Sequence, residues 1–186
     1  MPIEVDWTQE PMTPEEASRE ALIDTFRFLS REFLTWLVYH ADVDGGVFEG
    51  FEISVGGKLI LRAPGGTVTD VTIKGPCPSL SPDLRYSLAG GLSVKEVELT
   101  LSKGERSFSF ALAAENFDLK RVKLPELLAE ESDDRLMERL TLLGELDACL
   151  RTAYGEFLKL RGDGWSETVV PAMKEWLREG SQIDAR

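Results

Sequence analysis

The sequence predicts an α+β fold: an antiparallel sheet of four to six strands packed against long N-terminal and C-terminal helices. Three observations carry this expectation. Apolar residues recur at three–four spacing over residues 13–39 and again after Pro125, the period of a helix with one buried face. Between these stretches the pattern switches to period two, as in strands that bury one face. Glycine pairs and Lys103–Gly104 punctuate the alternating runs, and such short connections join antiparallel neighbours.

Residues 1–12 hold two prolines and read as an extended lead-in. Thr13-Pro14-Glu15-Glu16 is a helix start: Thr13 as N-cap, Pro14 at N1 and Glu16 closing a capping box. The helix runs to about Tyr39, with Leu22, Phe26, Leu29, Phe33, Leu37 and Val38 on one stripe. Phe28, Leu34 and Trp36 widen that stripe, so the helix is expected to pack on more than one side. His40 to Gly46 then reads as a polar turn. Its His and two Asp also suit a cation, but no second histidine exists to build a zinc site.

Phe48–Val55, Lys58–Ala63 and Thr67–Lys74 read as three strands, with Gly56-Gly57 as a hairpin turn and Pro64-Gly65-Gly66 as a second turn. The glycines lack the Gly-Lys-Ser/Thr ending and following helix of a phosphate loop. Ser81-Pro82 opens a short helix to about Ala89, with Leu84 and Leu88 inward and Gly90-Gly91 ending it. Val94–Ser102 and Arg106–Ala113 form a hairpin in which Val97, Leu99 and Leu101 oppose Phe108, Phe110 and Leu112. Leu119 to Pro125 reads as a basic turn aiming Leu119, Val122 and Leu124 at the core.

After Pro125 a helix is expected to reach about Leu160, with Ser132-Asp133-Asp134-Arg135 marking a cap inside it. Leu136, Leu140, Leu143, Leu146, Leu150, Tyr154, Phe157 and Leu158 make one continuous apolar stripe, and Gly144 and Gly155 within it suit close helix approach. A last helix spans about Ser166 to Glu179, and residues 181–186 read as a loose tail. No repeat separates these elements, so residues 13–180 are expected to form one domain.

The chain has 186 residues, enough to bury a core without disulfide or metal. Its 42% hydrophobic and 29% charged content excludes a disordered chain. The net charge of −12 sets up a field that repels nucleic acid and anionic lipid, so any phosphate site must be a local basic patch. Cys77 and Cys149 lie far apart and read as free thiols in a reducing compartment. The N-terminus lacks the basic and apolar regions of a signal peptide, and no run is long enough to span a bilayer. The expectation is a cytoplasmic protein that does not contact membrane.

Lys120, Arg121 and Lys123 form the tightest basic cluster, and Lys95, Lys103 and Arg106 can join it from the hairpin. Cations so placed would contact phosphates and bind in a salt-dependent way. The alternative is a solvated turn that pairs with Glu126, Glu130, Glu131, Asp133 and Asp134. Arg19, Arg27 and Arg31 make a second basic set on the first helix, beside Glu20, Asp24 and Glu32 that can pair with them. Glu130, Asp133 and Asp134 suit a helix start better than a metal centre, which needs carboxylates converging from several elements. Trp36, Trp165 and Trp176 sit in apolar stripes and read as core or subunit contact. His40 is the single histidine and no Gly-x-Ser-x-Gly elbow accompanies it. Neither an enzyme nor a cofactor is expected.

From Gly57 to about Gly162 the order of features resembles the C-terminal half of the recombination-associated RdgC family. Val94 to Leu124 carries most of the likeness: a strand, a glycine turn, the F-x-F-x-L strand, then Phe117-Asp-Leu-Lys-Arg-Val-Lys-Leu124. Leu142-Leu-Gly-Glu-Leu146 is similar to that family's closing helix, and Phe33-Leu-Thr-Trp-Leu37 to a segment before its sheet. The resemblance implies a homodimer that binds DNA without sequence preference in recombination or replication, alongside a protein partner. Of the matching positions, Lys120, Arg121 and Lys123 suit phosphate contact. The alternative is a protein-interaction module that keeps the fold and does not bind DNA.

Overall fold

The computed structural model describes residues 30–43, 45–63 and 70–179. The lead-in, the Thr13 cap, Leu22, Phe26, Leu29, Arg19, Arg27, the Pro64–Gly66 turn and the tail lie outside the described residues. Residues 30–43 are helical (α1). Phe33, Leu34, Trp36, Leu37 and Val38 are all buried, so the wide stripe is used on more than one side. The helix continues past Tyr39 through His40, whose ring stacks on Trp36 at 5.1 Å and lies 4.9 Å from Phe48. His40 is thus held by aromatic packing. Among the described residues no three His, Cys, Asp or Glu side chains gather as metal ligands.

Six strands form one antiparallel sheet in the order β1-β2-β4-β5-β6, with β3 pairing β2. They are β1 Val47–Phe48, β2 Phe51–Arg62, β3 Asp70–Lys74, β4 Ser93–Lys103, β5 Arg106–Ala113 and β6 Leu119–Lys123. The architecture is the expected α+β fold, but the turns differ in place. Gly56-Gly57 is not a hairpin; β2 runs straight through it. Val55 and Leu59 face Leu99 and Val97, so the pair forms a bulge. A Cβ on Gly56 would meet Glu98 Cβ at 3.0 Å, so glycine here allows strand-to-strand approach. The hairpin turn falls earlier, at Glu49-Gly50. Both residues hold positive φ (53° and 75°), as a two-residue primed turn between Phe48 and Phe51 requires.

The β4–β5 hairpin has the expected register: Val97 pairs Leu112, Leu99 pairs Phe110 and Leu101 pairs Phe108, all buried. Strand alternation sends Glu96, Glu98 and Thr100 to the opposite face. The basic stretch after Phe117 is the edge strand β6 rather than a turn. Only Val122 and Leu124 of its apolar residues pack against the core; Leu119 is exposed.

Between the strands, α2 (Pro82–Ala89) starts as expected, with Ser81 Oγ accepting from the Asp83 amide. It buries Leu84, Leu88 and also Arg85. The long helix α3 spans Ser132–Gly162 and starts later than the sequence suggests. Residues 124–131 are not helical, and the amides of Leu128 and Ala129 donate to the Glu138 carboxylate at 3.0 Å each. The expected internal cap is therefore the helix start, with Asp133 and Asp134 in the first turn facing the helix dipole. Trp165–Val169 forms a π turn, and α4 runs from Val170 to Glu179.

The core gathers Phe157 of α3 against Phe33 and Trp36 of α1 (ring centroids 5.5 and 5.7 Å) and against Trp165 (5.4 Å). Trp36, Trp165 and Trp176 are all buried, as their apolar stripes indicate. Arg85 locks three elements at the edge of this core. Its guanidinium pairs Asp42 at 2.9 Å, donates to the Trp176 carbonyl and lies 4.0 Å over the Trp176 ring. Trp176 Nε1 donates to the same Asp42 at 2.7 Å.

Candidate functional site

The six candidate cations do not share one patch. Lys95 and Lys103 lie eight residues apart on β4, about 27 Å at a strand rise of about 3.4 Å. Lys95 is the extra residue of a β4 bulge and pairs Asp70 at 2.9 Å. Asp70 also holds Arg62 (2.9 Å), which reaches Glu115 (2.7 Å), and Arg31 meets the same Glu115 at 3.4 Å. At the opposite end Lys103 donates to the Glu49 carbonyl (3.1 Å) over the Phe51 ring (4.8 Å). Arg106 pairs Glu145 of α3 at 2.9 Å.

Lys120, Arg121 and Lys123 do share the polar face of the sheet. A bulge in β6, with Arg121 at φ 54°, brings the first two toward β4. Lys120 pairs Glu96 at 2.8 Å, and Arg121 bridges Glu96 and Glu98 at 3.2 Å each. Burial would raise the Glu96 pKa, but hydrogen bonds from Lys120 and Arg121 outweigh it and hold the group below the usual carboxylate range. Glu96 is thus a firm counter-ion to both. No ion pair joins Lys123 to any of the described residues. A groove of about 250 Å³ beside it is lined by Gly56, Glu98, Thr100, Ser109, Arg121 and Lys123. Its charge is mixed. A phosphate entering there would meet Lys123 and would compete with Glu98 for Arg121.

A second surface lies on α3. The long apolar stripe of α3 is split. Of that stripe Leu146 and Phe157 are buried, beside Leu142, Cys149 and Ala153 of the adjoining positions, whereas Leu158 at its end is exposed. On the N-terminal half of α3, Leu136, Met137, Leu140 and Leu143 stay 57%, 62%, 55% and 39% exposed. Among the described residues nothing lies within 4 Å of where a Cβ on Gly144 or Gly155 would stand, so no described helix approaches either glycine closely. The exposed row leads into a groove of about 310 Å³ between α3, α1 and the start of β6. Phe33, Leu112, Phe117, Leu119, Leu150 and Tyr154 line it, with Asp147 and Arg151 at its rim. The three–four spacing was visible in the sequence; which half lay outside the core was not.

Among the described residues no helix is long and apolar enough to cross a membrane. No protein-family model matches the chain, and no curated protein matches it.

Proposed function

We propose that this chain is a protein-interaction module that docks partners through the exposed apolar row of α3. The observation that carries this reading is the run Leu136, Met137, Leu140 and Leu143, four large apolar side chains in solvent on a helix whose other half is core. A row of this kind, edged by charged residues, marks an interaction surface. The electrostatics support the same reading. Five of the six candidate cations already hold a carboxylate or carbonyl, in a chain of net charge −12.

The second reading is RdgC-like, non-sequence-specific DNA binding through Lys120, Arg121 and Lys123. It is favoured by their place on one edge strand and by the unpaired Lys123. Fluorescence-anisotropy titration with labelled duplex and single-stranded DNA, at about 50 and 200 mM salt, separates the two. The expected result is no saturable binding at either salt. Micromolar binding that falls steeply with salt, and is lost in Lys120→Met with Arg121→Met, would overturn the first reading in favour of the second.

A further inference from the structure

The α3 row has a period that names the shape of its partner. Leu136, Leu140, Leu143, Asp147, Leu150, Tyr154 and Phe157 follow an unbroken alternation of four and three, the seam of a coiled coil. The same row is buried at Phe157, half-buried at Tyr154 against Phe33 and Phe117, and in solvent at Leu136, beyond the reach of those rings. From Leu136 to Tyr154 the open seam is about 27 Å long at a rise of about 1.5 Å per residue, enough for one helix laid along it. The groove at Leu150 and Tyr154 gives its deep end.

Charge selects among the helices that fit. Between Glu126 and Arg151 stand eight carboxylates and three arginines, and Asp147 interrupts the seam itself, held only by an exposed i,i+4 pair with Arg151 at 2.7 Å of the kind worth little in water. A second copy of this chain would bring net charge −12 against −12, and in parallel register Asp147 against Asp147. A helix with lysine or arginine beside a leucine seam complements both features. We infer that the open half of the α3 seam receives one amphipathic, basic helix from a partner protein, with a cation of that helix facing Asp147. This inference rests on the docking reading proposed above.

The test uses the full chain and two labelled peptides of about 21 residues, three heptads with the same leucine seam, one flanked by lysine and the other by glutamate. Anisotropy is expected to show the lysine peptide binding at least about tenfold tighter. The Leu136→Ser, Leu140→Ser double variant leaves net charge unchanged and removes only exposed side chains. It is expected to lose at least about tenfold of that affinity, a drop of about 1.4 kcal/mol or more. Undiminished binding in the variant would mean adsorption to an acidic surface and would overturn the inference. Equal binding of both peptides would overturn the basic partner while leaving the docking reading standing. Binding of neither would overturn the docking reading itself. A doubling of mass in light scattering that the double variant abolishes would assign the seam to a second copy and also overturn the inference.

Discussion

At the scale of single residues, Arg85 holds more of the structure than any cation the sequence draws attention to. It is 5% exposed, and its partners Asp42 and Trp176 lie 43 and 91 residues away. Burial pulls its pKa below the ordinary arginine value, while Asp42 and Glu179 act in the opposite direction. Removing one member of a buried pair strands the other, so Arg85→Ala is expected to lower unfolding stability by about 3–5 kcal/mol. Urea denaturation followed by circular dichroism measures this; a loss below about 1 kcal/mol would mean that Asp42 finds water or another partner at no cost. Nothing local in the sequence marks Arg85. It sits one residue from Leu84 on a short helix, and only the docking of α4 closes its environment. Gly46 is a quieter case. It holds φ 50°, and a Cβ there would stand 3.0 Å from Ala41 Cα and 3.1 Å from the Ile53 carbonyl, so the α1–β1 turn admits no side chain without backbone movement.

At the scale of elements, the start of α3 is set by competition for backbone donors. Residues 126–131 have helix-compatible side chains, yet Leu128 and Ala129 give their amides to Glu138 instead of to a preceding turn. Those two bonds also lower the Glu138 pKa. Glu138→Ala should free the segment: amide hydrogen exchange at Leu128 and Ala129 is expected to quicken by about tenfold or more, while exchange in β4 and β5 stays unchanged. Unchanged exchange at both amides would show that packing, not Glu138, holds the segment. The place of the first hairpin is set by a close approach instead. Gly56-Gly57 has the composition of a tight turn, but β4 approaches so closely that glycine is needed inside a strand. The β4–β5 hairpin was legible because its alternation and its glycine turn agree; the turn falls at Gly104-Glu105, one residue past the expected Lys103-Gly104, and Gly104 supplies φ 60°.

At the scale of the whole molecule, the ionisable groups predict a stability plateau with two falling limbs. Hydrogen bonds from Lys95 and Arg62 hold Asp70 below the carboxylate range, and Glu96 and Glu138 are lowered as well. A carboxyl with a depressed folded-state pKa adds stability above its unfolded pKa and loses it as pH falls through the folded value. The acid limb therefore begins near the ordinary carboxylate range, about pH 4. On the other side, burial with help from Glu49 pushes the Cys149 thiol from 9.0 up to about 11, and burial raises Tyr154 too. For these groups the stabilisation is complete below the unfolded pKa and is lost as pH rises through the folded one. Urea midpoints are expected to fall as pH climbs from 9 toward 11, and Cys149→Ala should flatten that limb. A profile flat to pH 11 would show that Cys149 is not shielded from solvent.

By itself the sequence determined the α+β class, the β4–β5 register and the α2 boundaries. All of these rest on local periodicity or on turn and capping chemistry, which act over a few residues. Tertiary structure decided the rest. Glu96 and Glu98 become counter-ions of Lys120 and Arg121 only because β4 and β6 flank β5 in the sheet, so that side chains more than twenty residues apart meet across it. Leu136 and Phe157 belong to one periodic seam and look equivalent in the sequence. The place where the core ends leaves the first in solvent and buries the second.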